Sequence, residues 1–94
     1  MDAKISAIEE AIELAMPEAS IDYRNADGMH SFEAMLLGAE KTVGFEEDTF
    51  ETQSAEGLVE LLEKYHVFTT FRENEGPVFL LISGHGVTRL HPLG

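Results

Sequence analysis

The residues best suited to chemistry lie together near one end of the chain, in the segment Ser83-Gly84-His85-Gly86-Val87-Thr88-Arg89-Leu90-His91. Gly84 and Gly86 flank a histidine and let backbone approach a ligand closely, and Arg89 offers a permanently charged fork that fits a carboxylate or phosphate. His85 and His91 supply two imidazoles, the side chain that serves most readily as an acid, a base or an anion partner. One reading of Gly84, His85, Gly86, Arg89 and His91 is therefore an anion or small-ligand pocket. The other is a strand end turning through a glycine-rich bend, with Arg89 paired to one of the chain's many carboxylates. Spacing favours the second, because a site is defined by geometry and none is visible here.

No other grouping builds a reaction centre. The four histidines stand at 30, 66, 85 and 91, so no two have the helical spacing of a zincin. Neither a phosphate-binding nor a dinucleotide glycine pattern occurs, and Ser83 beside His85 makes no nucleophile elbow. Glu46, Glu47, Asp48 and Glu51 are clustered oxygens without the order of a calcium loop, so they read as a solvated face. Carboxylates are too numerous for any pair to be diagnostic. The expectation is a non-enzymatic domain with no catalytic residues, no metal and no cofactor.

Charge narrows the class of partner. With 18 acidic and 6 basic side chains in 94 residues the net charge is −12, which repels phosphate backbones and anionic membrane surfaces. Nucleic acid and membrane are excluded as expected partners. The excess serves either solubility in salt-rich surroundings or docking of a basic partner, and solubility is the simpler reading. The composition, with only Lys4, Lys41 and Lys64 as lysines, resembles that of haloarchaeal proteins. That resemblance implies a cytoplasmic protein of a high-salt cell and by itself no activity. All 18 acids fall in residues 1 to 75, whereas residues 76 to 94 carry none. The C-terminal fifth is a different material.

The elements that must position these residues follow from periodicity. Ile5, Ile8, Ile12 and Ala15 or Met16 mark an amphipathic helix over residues 3 to 16, capped by Asp2 and stopped by Pro17. Ile21 and Tyr23 alternate with Asp22 and Arg24 as in a half-buried strand, and Asn25-Ala26-Asp27-Gly28 is a hairpin turn. His30 to Val43 fits either a helix behind Ser31 or two strands breaking at Gly38, and the strand reading is preferred because glycine weakens a helix interior. Glu46 to Glu51 continues the third strand or forms an exposed connection. Ser54 caps a second helix over 55 to 65 with Leu58, Leu61, Leu62 and Tyr65 as its stripe. Val67 to Arg72, rich in β-branched and aromatic residues, reads as a strand, and Pro77 to Ser83 as another.

The expected fold is one α+β domain, a two-layer sandwich of an antiparallel sheet and two helices in the order α-β-β-β-α-β-β. Strand Val78 to Ile82 is apolar on both faces, so each face must be covered. Either the helices pack on opposite faces, or a bare face meets a second copy in a two-fold dimer, and a homodimer is the expectation. The function expected is self-association or binding of a protein partner in the cytoplasm, and the alternative is a small-molecule or anion-binding domain, catalytic or not, that uses the Gly84 to His91 segment.

Overall fold

Asp2 starts the first element: its carboxylate accepts a hydrogen bond from the Lys4 amide at 2.7 Å, and α1 (Ala3–Ala15) runs until Met16 leaves helical geometry ahead of Pro17. In this computed structural model, which describes residues 2–90, three strands follow as a meander: β1 (Ser20–Ala26), β2 (Met29–Leu36) and β3 (Ala39–Glu46). The two connections are two-residue turns with positive φ at both central residues, Asp27 and Gly28 in one, Leu37 and Gly38 in the other. That backbone matches the right-handed twist of the strands it joins. The 30 to 43 segment is thus β-structure, with Gly38 at the break.

Beyond β3 the chain is more helical than its residue types suggest. α2 (Glu47–Thr52), α3 (Ala55–Lys64) and α4 (Val67–Glu73) come in succession before β4 (Val78–Ser83) and β5 (Gly86–Leu90). Ser54 Oγ accepts from the Gly57 amide at 3.0 Å and caps α3 as its sequence implies. The five strands lie in chain order, with every neighbour antiparallel except β3 and β4, which are parallel.

Four expectations are corrected by this arrangement. Of the acidic stretch Glu46 to Glu51 only Glu46 belongs to β3; from Glu47 on it is neither strand nor open connection, because Phe50 turns inward and α2 forms around it. Val67 to Arg72 is helix rather than strand. His66, at φ 53°, bends the chain out of α3, and Val67 and Phe71, four apart, are then both buried. Packing at helical spacing outweighs the β-preference of Val-Phe-Thr-Thr-Phe. The sheet is therefore mixed and carries four helices, since three helices between β3 and β4 return the chain to the same end and make that pair parallel. The remaining strand comes from Gly86–Leu90, beyond the last one expected. The α+β class stands with five strands among the described residues, but the fourth expected strand is helix α4 and the fifth observed strand is Gly86–Leu90.

One core unites the layers. Ile8 and Ile12 of α1, Phe50 of α2, Leu58 and Leu62 of α3 and Val67 and Phe71 of α4 pack against Phe32, Ala34, Leu36, Val43, Phe45, Val78, Leu80 and Ile82. The strand residues named all alternate onto the same side of the sheet in the observed register. Every helix contributes to that side.

Candidate functional site: the bare face of the sheet

Alternation places the other residues of each strand on the opposite side: Asp22 and Arg24 of β1, Met29, Ser31, Glu33 and Met35 of β2, Glu40, Thr42, Gly44 and Glu46 of β3. From β4 and β5 come Phe79, Leu81, Thr88 and Leu90. Among the described residues no helix covers this side.

The face is divided. On β1 and β2, Arg24 lies 3.7 Å from Glu33 in an exposed ion pair, with Asp22 close by. Glu40 and Glu46 stand at the two ends of β3. The β4–β5 half carries no charged residue: Phe79 pairs with Leu90 and with Thr42, and Leu81 with Thr88 and Gly44. Gly44 is the floor of this half. A Cβ there would lie 2.6 Å from the Met29 sulfur, so glycine is what lets that side chain close over β3, and 3.6 Å from the Phe79 ring, an ordinary contact. Met35 remains 47% exposed and Leu90 38%. The acid-free composition of residues 76 to 90 is thus the uncharged half of an open sheet face.

The chemistry-bearing segment is dispersed by the same strands. Gly84 and His85 occupy the exposed β4–β5 turn, where Ser83 Oγ accepts from the His85 amide at 3.2 Å, and Gly86 opens β5 at φ 125°. Arg89 points to the helix-covered side at the sheet edge and donates to Asn74 Oδ1 at 3.3 Å, a neutral partner rather than a carboxylate. His91 lies outside the described residues. The turn and Arg89 are therefore on different parts of the hairpin, and His85 and Arg89 do not converge.

Two buried polar groups gave no signal in the sequence. Lys41, only 2% exposed, sends its ammonium to the carbonyls of Asn74 and Gly76 and so ties β3 to the loop before β4. Burial, reinforced by the nearby Arg89 charge, pulls its pKa below the usual 10.5. Its neighbours line a cavity of about 300 Å³ with Leu36, Phe71 and Glu75. His30 is buried in a ring stack, 3.9 Å from Phe50 by centroid, and its Nδ1 meets the Tyr23 hydroxyl at 2.6 Å. Its Nε2 is buried without a hydrogen-bond partner among the described residues. Burial, with the Asp2 charge, raises the Tyr23 phenol above 10.0. Lys41 was legible only as one lysine in an alternating strand, and His30 only as a residue after a turn.

Among the described residues no three His, Asp or Glu side chains are placed to hold a metal ion. Among the described residues no helix is long and apolar enough to cross a membrane. Comparison with known proteins found no matching family model, no similar curated protein and no similar solved structure.

Proposed function

We propose that this chain is a small cytoplasmic domain that acts by self-association, through a two-fold pairing of its bare sheet face. The observation that carries the reading is the one-sided placement of the helices, which leaves Met29 and Phe79 beside Gly44, with Leu81 and Leu90 on the neighbouring strands, and no helix over them among the described residues. Five strands about 4.8 Å apart and about 20 Å long present a face of roughly 500 Å². Two whole faces would bury at most about 1,000 Å² in total, the size of weak, transient interfaces, so the pairing is expected to be reversible on dilution. A two-fold axis through the apolar half sets Phe79 and Leu81 against their counterparts and leaves the carboxylates at the rim. High salt favours it, because two bodies of charge −12 repel at low ionic strength and screening shortens that repulsion to a few ångströms.

Dilution followed by methyl resonances tests the reading. Shifts confined to Met29, Met35, Leu81 and Leu90 support it, while Ile8 and Leu58 in the core stay fixed. Resonances that do not move over a hundredfold dilution from about a millimolar, or that move uniformly, contradict it.

A second reading, a small-anion site, is supported by one observation: Lys41 and Arg89 both converge on Asn74, one on its carbonyl and one on its amide oxygen. Calorimetric titration with inorganic phosphate at fixed ionic strength tests it. Binding that disappears in Arg89→Ala sustains that site, and equal heats in both proteins dismiss it.

A further inference from the structure

On the helix layer, α1 and α3 lie side by side and leave a groove of about 430 Å³ lined by Ala7, Ala11, Leu14, Ala55 and Val59, with Glu10, Glu56 and Glu60 along it. The alanines keep the floor low enough for another backbone to come close, and the ridge beside them ends in Leu14, whose side chain is 86% exposed. Ala7, Ala11 and Leu14 recur at steps of four and three on α1, and Ala55 and Val59 at four on α3, so the apolar track runs along both helices. Carboxylates stand on both walls, and no base is among the lining residues.

We propose that this groove docks an amphipathic helix of another protein whose apolar stripe is flanked by Lys or Arg. Apolar side chains of such a helix cover Leu14 and Val59, and its cations lie against Glu10 on one wall and Glu56 and Glu60 on the other. The charge pattern selects against a second copy as occupant. Among this chain's helices α1 carries one base, Lys4, held by the Phe50 and Glu51 carbonyls at 2.8 and 2.9 Å, and α2 carries none. Lys64 is the base of α3 and lies over the Tyr65 ring, while Arg72 of α4 is paired with Glu18 at 3.1 Å. None of these helices presents two cations beside an apolar stripe. The groove is on the side of the molecule opposite the bare sheet face, so this inference and the proposed dimer stand or fall separately.

The test is fluorescence anisotropy with a labelled Leu/Lys peptide about five helical turns long, leucines on one stripe, against a peptide of the same composition in scrambled order. The whole domain is titrated as wild type, as E10Q/E56Q/E60Q, and as E47Q/D48N/E51Q, which removes the same number of charges from exposed positions on α2. The groove variant is expected to bind about tenfold more weakly and the α2 variant within about twofold of wild type. Leu14→Ser, at an exposed position, should weaken the striped peptide several-fold at unchanged charge. Equal weakening by the two triple variants, or a scrambled peptide that binds as tightly, would reduce the effect to bulk attraction and overturn the proposal. So would a change in the mass of the free protein in Leu14→Lys, which would make the groove a contact between copies.

Discussion

The two faces of the sheet are built from the same strands, yet they obey different rules. On the covered face most central positions hold a buried apolar side chain, as with Phe32, Val43 and Leu80, and Lys41 there is bonded to two carbonyls. On the bare face, Asp22, Arg24, Glu33, Glu40 and Glu46 share the surface with Phe79, Leu81 and Leu90. The covered face therefore sets stability, and the bare face is free to set association. Where one face must be dry and the other wet, period-two alternation does both tasks with a single run of residues.

The contrast predicts where substitutions hurt. Phe71→Ala or Leu58→Ala opens a cavity under fully packed helices and should cost about 3 to 5 kcal/mol in urea unfolding, whereas Phe79→Ala should cost about 1 kcal/mol in the monomer. Similar losses on both faces would erase the distinction. Lys41→Met should follow at about 1 to 3 kcal/mol, since the Asn74 and Gly76 carbonyls lose their charged donor. A neutral result would show that these carbonyls rehydrate and that Lys41 is no fastener of the β4 loop.

Gly44→Val should cost about 1 to 2 kcal/mol, because its Cβ meets the flexible Met29 thioether, and it should lift Met29 and weaken self-association more than folding. Wild-type association would show that the Met29 closure is irrelevant to pairing.

The smallest effect lies at alkaline pH. Tyr23 keeps its proton above 10.0 in the folded state, so the unfolded chain ionises first and stability falls as pH rises past 10. Lys41 acts in the opposite sense: its folded pKa is lowered from 10.5, so the unfolded chain holds that proton longer and stability rises with pH up to that value. Tyr23→Phe should flatten the alkaline decline and Lys41→Met should steepen it, both read from unfolding midpoints. Matching slopes in all three proteins would contradict the burial of these groups.

Local rules made the first half of the chain readable. Pro17, Gly28 and Gly38 each favour a conformation through their own covalent structure and Asp2 through its side-chain cap, and α1 and the three-strand meander follow from them. Ser54 did the same for α3. Past that point the deciding forces are long-range. Val67 and Phe71 become helical because the core receives them at helical spacing, and Phe50 draws an acidic stretch into α2 by stacking on His30. The apolar doubling of Val78 to Ile82 was legible as a strand needing cover on both sides, but which side stayed open depended on where three short helices packed. Of the chemistry-bearing segment, the two-glycine turn was visible, whereas the orientation of Arg89 toward Asn74 was not, because it depends on hairpin register.

The central claim is that the bare face pairs two copies of the domain, and its most direct test is the mass in solution by light scattering at tens of micromolar and high salt, for wild type and for Phe79→Glu. The account predicts dimer mass for wild type, growing with salt, and monomer mass for a variant that still folds by circular dichroism. A wild type that stays monomeric at every salt concentration, or a folded Phe79→Glu protein with unchanged dimer mass, would contradict it.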